Sequence, residues 1–344
     1  MAHGLHLIYT PHHQNHQPRT FFNFGQMQDN LEKPARIETI RAALASLPAV
    51  TTTRCQRHAT SGELRTIHTP ELVHFLTVKM AAWDPDWPDE IVPGLFPYAF
   101  SGAKLPEWPQ AQAAYFCCDA GTPIGPGTAL AATAAAGCAL QAAEAVATGA
   151  STLAYALCRP PGHHATRARY GGFCYFNNAV LAARHLSSMG RVAILDIDFH
   201  HGNGSQQLTY DSDRILYTSI HGDPNDSYPF FYGYAGERGA GPGQGYNLNL
   251  PLPRGSGLAE YLPALHQALE AIASSGCRAL VLSAGYDTCQ DDPLGGFTLQ
   301  PNDFQAIGQA IASLDLPTVI IQEGGYVLDL LAPSAQALVT GLRE

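Results

Sequence analysis

The sequence predicts an α/β fold, an open parallel sheet with helices on both faces. Three features lead to this prediction: apolar runs of strand length recur along the chain, a polar loop with glycine follows most of them, and helical patterns lie between them. Strands that alternate with helices indicate a parallel sheet. The runs show little polar alternation, which is typical of strands buried on both faces.

The predicted elements follow from the spacing of apolar residues. The expected strands are aliphatic or β-branched, and they cover 5–9, 153–157, 192–195, 215–217, 279–282 and 318–321. The expected helices cover 34–47, 70–82, 128–148, 177–188, 258–274, 301–314 and 329–342. Pro34 opens the first of them, because proline is tolerated in a first helical turn. The segment 12–29 is expected to be a polar and aromatic loop.

We expect one domain over residues 1–344, with a long loop insertion at about 83–126. The insertion is rich in proline, glycine and aromatic residues and has no clean periodicity. It holds six acidic residues against one lysine. A loop this long in a compact domain is usually functional or an interaction surface. A solvated acidic surface is the alternative interpretation.

Composition limits the classes of partner. Of the 344 residues, 46% are hydrophobic and 14% are charged, so a substantial core is expected. The formal net charge of −10 disfavours nucleic acid and anionic membranes as partners, since both require a basic surface. Eight cysteines without a C-x-x-C pair predict reduced thiols. The first residues do not resemble a signal peptide, and we therefore expect a cytoplasmic protein.

The segment 191–204 reads R-V-A-I-L-D-I-D-F-H-H-G-N-G and suggests a metal site. Strand alternation would point Asp196, Asp198 and His200 in one direction at the end of a strand. Oxygen and nitrogen donors two residues apart suit a divalent metal such as zinc. A salt-bridged loop is the alternative.

Polar residues follow several predicted strands, and ligands of open α/β sheets bind at the carboxyl ends of strands. Asp287 is the natural third metal ligand, which would leave zinc an open position. One histidine of the pair His163-His164 is placed as a general base, with Asp196 and Asn203 as available partners. A tyrosine hydroxyl at Tyr326 can donate to a developing oxyanion. Together these groups predict hydrolysis of an amide or ester.

Several motifs closely resemble the histone deacetylase family. They are R-P-P-G-H-H (159–164), G-G-F-C-Y-F-N-N (171–178), D-I-D-F-H-H-G-N-G (196–204), S-A-G-Y-D (283–287), D-P-L-G-G (292–296) and E-G-G-Y (323–326). The similarity covers nearly the whole chain. Within the family, the long insertion and the segment 219–237 look most like the bacterial acetylpolyamine amidohydrolases. The resemblance implies the arginase/deacetylase fold and removal of acyl groups from amines.

The resemblance also implies roles for individual residues. It implies one zinc ion per chain on Asp198, His200 and Asp287. It implies His164 as general base, His163 hydrogen-bonded to Asp196, and Tyr326 polarising the scissile carbonyl. The remaining implied sites are a tunnel with Gly172, Phe173 and Phe231, and a monovalent cation, potassium, at Asp196, Asp198, His200, Ser219 and Ile220. A homodimer through the 83–126 loop is implied as well.

Three positions depart from relatives. Asn203 stands where class I histone deacetylases have Asp, and Leu294 stands in the substrate-binding region where the eukaryotic polyamine deacetylase has an acidic gatekeeper. Phe21 lies where the bacterial polyamine enzyme has an acidic residue. The expected substrate is a small N-acetylated amine, acetylpolyamine first, with a broad acyl-lysine or small-amide deacylase as the alternative. The related arginase fold suggests a ureohydrolase with two manganese ions, but this chain lacks the extra aspartates that would bind a second metal. A non-catalytic protein that binds acyl ligands is the remaining alternative.

Overall fold

The computed structural model describes residues 4–23, 25–97 and 103–344. Its strands are β1 (Leu5–Tyr9), β2 (Thr20–Asn23), β3 (Gln26–Asp29), β4 (Val50–Arg54), β5 (Leu153–Ala156), β6 (Val192–Asp196), β7 (Ile215–Gly222), β8 (Asn247–Leu252), β9 (Ala279–Ala284) and β10 (Thr318–Gln322). Its α-helices are α1 (Ala35–Ala45), α2 (Ser61–Leu64), α3 (Pro70–His74), α4 (Pro109–Phe116), α5 (Thr128–Ala147), α6 (Asn178–Leu186), α7 (Asn203–Thr209), α8 (Leu258–Ser274), α9 (Asp303–Ala312) and α10 (Leu328–Arg343).

Eight strands form one sheet in the order β4-β1-β5-β10-β9-β6-β7-β8, and every neighbouring pair is parallel. The strands β5, β6, β7, β9 and β10 are buried along their whole length. This burial explains their lack of polar alternation, since each has apolar neighbours on both faces. The remaining strands, β2 and β3, form a separate antiparallel hairpin.

Two hydrophobic cores lie on opposite faces of the sheet. Helices α5 and α6 supply much of one core, whereas α1, α8, α9 and α10 cover the other face. Helix α5 is long and apolar enough to span a membrane by length and composition. However, 72% of its apolar window is buried inside the protein, so α5 packs as a core helix. The two cores hold the sheet rigid beneath its loops.

The predicted fold class is confirmed, and most predicted elements are present with ends shifted by a few residues. The polar segment 12–29 instead contains a short 3-10 turn and the β2–β3 hairpin. The helix expected at 70–82 begins as α3 and continues as a π-helical turn at Phe75–Lys79. Strands β4 and β8 and helix α7 were not predicted, because threonine, asparagine and glycine dilute their apolar pattern. The insertion at 83–126 contains helix α4, and its residues 98–102 lie outside the described residues.

Parallel strands bring their carboxyl ends to one edge of the sheet, and the predicted site residues lie there. Strand β6 ends at Asp196, so residues 197–200 do not continue the strand alternation assumed from the sequence. Asp196 pairs in register with Ser219 of β7 and Ser283 of β9. The loops after these central strands therefore converge on a small volume.

Candidate active site

Asp198, His200 and Asp287 form a compact cluster beyond β6 and β9. Their donor atoms all lie within 4.8 Å of one another. His200 Nδ1 lies 3.2 Å from Asp198 Oδ1 and 3.1 Å from Asp287 Oδ2. Both carboxylates are fully buried, and the imidazole is nearly so. The sequence prediction named these three residues, and the fold brings them together.

The cluster fits a divalent cation. Two buried carboxylates face each other, and burial together with the Asp198 charge raises the pKa of Asp287 to about 7, although His200 opposes the shift. A cation between the carboxylates would relieve this repulsion. Glycine backs the cluster closely: a Cβ atom at Gly324 would lie 2.2 Å from Asp287 Oδ2, and one at Gly285 would lie 2.1 Å from Asp198 Oδ2. Two carboxylates and one imidazole are suitable ligands for zinc.

The tandem histidines lie side by side, with ring centroids 4.0 Å apart. His163 Nδ1 lies 3.1 Å from Asp196 Oδ2, and His164 Nδ1 lies 2.8 Å from Asn203 Oδ1. Because the amide oxygen of Asn203 can only accept, His164 carries its proton on Nδ1 and presents Nε2 as an acceptor. Both partners proposed from the sequence are thus in hydrogen-bonding distance of the histidines.

The environments of the two histidines push their pKa values apart. Burial, reinforced by the positive charges of His163 and His200, holds the pKa of His164 well below its ordinary value. Burial also acts to lower the pKa of His163, but the Asp198 and Asp196 carboxylates outweigh it and raise that pKa to about 10. At neutral pH, His164 is therefore neutral and His163 is charged.

Tyr326 lies on the opposite side of the site, on the loop after β10. Its backbone N–H donates to Asp292 Oδ2 at 2.7 Å, and its ring contacts the ring of Phe173. Burial raises the pKa of the Tyr326 phenol well above its ordinary value, although the Arg36 charge opposes this shift. The Arg36 guanidinium lies 4.8 Å from the centroid of the Tyr326 ring. The phenol is therefore a protonated donor with a fixed ring.

A cavity of about 540 Å³ leads from the surface to this cluster. We call it the active-site pocket; the residues that line it nearest the reactive groups are His164, Gly172, Phe173, His200, Asn203, Tyr228 and Tyr326. Leu294 and Phe231 also line it, as predicted residues of the substrate tunnel. Phe231 is 78% exposed and lies at the mouth, whereas Tyr228 packs edge-on against His164 with centroids 5.0 Å apart. Tyr228, not Phe231, is therefore the inner aromatic wall opposite Phe173.

The residues predicted to hold a monovalent cation lie behind the cluster. Asp196 is fully buried and accepts hydrogen bonds from the Tyr217 hydroxyl and the Asp198 N–H. Ser219 and Ile220 lie on the buried β7 strand beside it. Ser219 Oγ lies 2.7 Å from His221 Nδ1.

Sequence reasoning did not identify three residues of the site. Tyr228 lies in the segment 219–237 that resembles the bacterial relatives, but the resemblance implies no role for it. Asp119 is one of the acidic residues of the insertion, and no sequence pattern distinguishes Arg36. Arg36 donates to the carbonyl oxygens of Gly325 and Glu323, in the loop that carries Tyr326. A contact across 289 positions leaves no local pattern in the sequence.

The geometry can be set beside known proteins. Residues 30–342 match the histone deacetylase domain. The chain belongs to the histone deacetylase family. Histone deacetylase family relatives include acetylpolyamine amidohydrolase 2 of Pseudomonas aeruginosa, which is 38% identical over 97% of each chain. Acetylpolyamine amidohydrolase of Burkholderia pseudomallei is 40% identical over 96% of each chain.

Solved structures agree with this membership. The crystal structure of acetylpolyamine aminohydrolase from Burkholderia pseudomallei superposes with a TM-score of 0.89 at 39% identity, covering 98% of each chain. The HDA15 HD domain superposes with a TM-score of 0.82 at 29% identity, covering 98% of this chain and 88% of that one. The fold and the family predicted from the sequence are confirmed. So is the enzyme class: the histone deacetylase family member described here is a deacetylase.

Proposed function

We propose that this deacetylase uses zinc to remove acetyl groups from small N-acetylated amines, with acetylpolyamines as the favoured substrates. The observation that carries the proposal is the cluster of Asp198, His200 and Asp287 beside a neutral His164 and a protonated Tyr326, at the base of one pocket. The substrate class rests on the relatives named acetylpolyamine amidohydrolase, which align with nearly the whole chain.

Asp198, His200 and Asp287 would hold one zinc ion per chain. When bound, zinc would supply a Lewis acid that polarises the substrate carbonyl and lowers the pKa of water. The two ligand carboxylates would balance its charge. The described residues contain a second group of possible ligands nearby, His163, Cys174 and Glu323, but His163 is already paired with Asp196, which favours a single ion over a binuclear site.

His164 is the proposed general base and acid. Its Nε2 accepts a proton from the attacking water and returns it to the leaving amine, while the Asn203 amide holds Nδ1 protonated. A neutral imidazole is required for the first step, and the low pKa of His164 supplies it at neutral pH. The charged His163, paired with Asp196, supports the negative charge that develops beside it.

Tyr326 is the proposed donor to the carbonyl oxygen. The reacting carbonyl becomes an oxyanion as the water adds, and a phenol O–H can stabilise that charge. Tyr326 lines the active-site pocket, where its phenol can reach a bound substrate. The Phe173 and Tyr228 rings enclose the acyl end and exclude water.

The pocket mouth supports a small amine substrate, but its charge is mixed. Asp119 and Asp226 line the pocket, as do Arg254 and the aromatic residues Phe21 and Phe231. Aromatic faces can bind either alkyl chains or ammonium groups. A broad acyl-lysine or small-amide deacylase therefore stays the alternative substrate class.

We propose further that Asp196, Asp198, His200, Ser219 and Ile220 hold a potassium ion that supports the active-site base.

Homodimerisation through the 83–126 insertion is proposed as well, since Leu95 and Trp108 are exposed there. Sedimentation at several protein concentrations tests the dimer; a monomer throughout would contradict it. The acidic composition and the nature of the bacterial relatives support a cytoplasmic location.

A substrate panel tests the proposed function. The purified protein is loaded with zinc, its metal content is measured, and kcat/KM is determined for N-acetylputrescine, N-acetylspermidine and an acetyl-lysine peptide. We expect one zinc per chain and the highest kcat/KM for an acetylpolyamine. A preference for the peptide would favour the alternative, and hydrolysis of none of the three would contradict the proposed activity.

A further inference from the structure

Asp119 of the long insertion lies at the wall of the active-site pocket, and its carboxylate receives four hydrogen bonds from nitrogen and oxygen donors, besides a longer contact of 4.0 Å from the Cys118 thiol. The Gly121 N–H and the Thr122 hydroxyl both donate to Oδ1 at 2.9 Å. The Gly172 N–H donates to Oδ2 at 2.6 Å, and the Tyr228 hydroxyl donates to it at 2.8 Å. A carboxylate has about four acceptor sites, so these donors fill them.

Two of these donors, the Gly172 N–H and the Thr122 hydroxyl, link Asp119 to the wall that carries Phe173. Gly172 and Phe173 both have positive φ angles, of 57° and 66°, and a non-glycine residue in this region is strained. The Gly172 N–H is held by Asp119, and the Phe173 N–H donates to Thr122 Oγ1 at 2.9 Å. Gly172 packs against the ring of His164, where a Cβ atom would lie 2.3 Å from Cδ2. The Asp119 contacts thus hold an unfavourable turn against the proposed base.

The Tyr228 hydroxyl links Asp119 to the second wall, which is the Tyr228 ring. The ring of Tyr228 lies edge-on to His164 and to His200, at centroid distances of 5.0 and 6.0 Å. Its hydroxyl reaches away from these histidines to Asp119, 109 positions earlier in the chain. Asp119 Oδ2 therefore connects the Tyr228 wall with the Gly172-Phe173 wall, and the Phe173 ring contacts the rings of Tyr326 and Phe21.

We propose that Asp119 is a positioning residue that joins the two aromatic walls of the pocket, and that it is not an anionic anchor for the amine end of the substrate. The inference rests on the proposed deacetylation and specifies its substrate class. With the acceptor sites of Asp119 already filled, an alkylammonium group gains no direct bond from it. Asp119 therefore sets the width between Phe173 and Tyr228 that admits the N-acyl group, and it does not itself distinguish a cationic amine end from a neutral one.

Two substrates of matched length separate these roles. N-acetylputrescine ends in an ammonium group, and N-pentylacetamide replaces that group with a methyl. The variants are Asp119→Asn, which removes the charge, Tyr228→Phe, which removes only the hydroxyl, and the double variant. Tyr210→Phe, at a half-buried tyrosine, and Asp211→Asn, at an exposed aspartate, make the same chemical changes outside the pocket and serve as controls. For each protein, kcat and KM are measured with zinc bound, and the thermal unfolding midpoint is recorded.

We expect kcat/KM to fall about tenfold or more for both substrates in each single variant, as for a lost hydrogen bond to a charged group. The ratio of the two kcat/KM values should stay within about twofold of the wild-type ratio, because Asp119 does not bind the ammonium group. The double variant should lose less than the product of the single losses, since both changes remove one bond. A wider gap between Phe173 and Tyr228 should also reduce the preference for acetyl over butanoyl substrates. General destabilisation of the fold would not change that preference.

A loss confined to N-acetylputrescine in Asp119→Asn would overturn the inference, because it would show that the carboxylate binds the ammonium group. Multiplicative losses in the double variant would also overturn it. Calorimetric binding of both compounds to the wild type and to Asp119→Asn is measured in parallel. If the wild type binds them without turnover, the proposed function fails, while the binding ratio still decides the role of Asp119.

Discussion

At the scale of single residues, the site gives two adjacent histidines, His163 and His164, different pKa values. His163 faces the carboxylates of Asp196 and Asp198, which raise its pKa, whereas Nδ1 of His164 pairs with the neutral amide of Asn203. Two like rings whose pKa values differ can divide the work of charge support and proton transfer. Asn203 thus matters because it is uncharged: a carboxylate at its position would raise the pKa of His164.

The Tyr326 hydroxyl gives the first prediction at this scale. We expect Tyr326→Phe to lower kcat about a hundredfold or more, as for loss of one oxyanion donor. The substitution leaves the ring, and with it the contacts to Phe173 and Arg36, in place. Steady-state kinetics on the favoured substrate measure the effect, and metal analysis should show unchanged zinc content. Tyr210→Phe is the matched control, and an unchanged kcat would remove Tyr326 from the mechanism.

At the scale of elements, helices α9 and α10 pack closely because two glycines face each other across the contact. A Cβ atom at Gly308 of α9 would lie 2.3 Å from the Leu338 carbonyl oxygen of α10. A Cβ atom at Gly341 of α10 would lie 2.1 Å from the Gln305 carbonyl oxygen of α9. Backbone atoms cannot give way as a flexible side chain can, so the spacing of this pair depends on glycine.

We therefore expect Gly308→Ala to lower the free energy of unfolding by about 1–3 kcal/mol, the usual cost of overpacking. This loss of stability is expected even though alanine is favoured over glycine in a helix by about 1 kcal/mol. Gly62→Ala in the exposed helix α2 is the matched control and should be neutral or stabilising, because a Cβ atom there meets nothing closer than 3.9 Å. Urea denaturation measures both variants. A stabilised Gly308→Ala would show that the two helices can move apart freely.

The elements also show what the sequence could and could not predict. Local signals were sufficient for the buried strands and for the motifs that end them, because metal ligands and histidines lie within a few residues of one strand end. Strand β8 escaped prediction because two buried asparagines, Asn247 and Asn249, interrupt its apolar pattern; their side-chain N–H groups donate to Gln206 Oε1 of α7. Tyr228 and Asp119 escaped a functional assignment because the hydrogen bond between them spans 109 positions, where no periodicity indicates it.

At the scale of the whole molecule, Glu32 connects three segments that are distant in the chain. Its carboxylate pairs with Arg36 of α1 at 2.6 Å and with Arg159 of the loop after β5 at 2.8 Å, and all three side chains are fully buried. Arg36 continues to the loop of Tyr326. Arg159 donates to the backbone oxygens of His13 and His16, so the N-terminal segment is tied to the same network.

Glu32→Gln should leave two buried guanidinium groups without their counter-charge. We expect the free energy of unfolding to fall by about 3 kcal/mol or more at neutral pH, as when one partner of a buried ion pair is removed. Burial alone would raise the pKa of Glu32, but the Arg159 and Arg36 charges outweigh it and hold that pKa below its ordinary value. The stabilisation is therefore complete above the unfolded-state pKa of Glu and is lost as the pH falls through the lower folded-state pKa.

It follows that the wild type and Glu32→Gln should converge in stability as the solution is acidified, and differ most near neutral pH. Denaturant titrations across that range measure the difference, with Glu270→Gln on the exposed face of α8 as the control that should match the wild type throughout. A gap that stays constant with pH would mean that Glu32 stabilises the fold by shape alone. Because Arg36 contacts both Glu32 and the Tyr326 ring, the variant should also lower kcat under conditions in which it is fully folded.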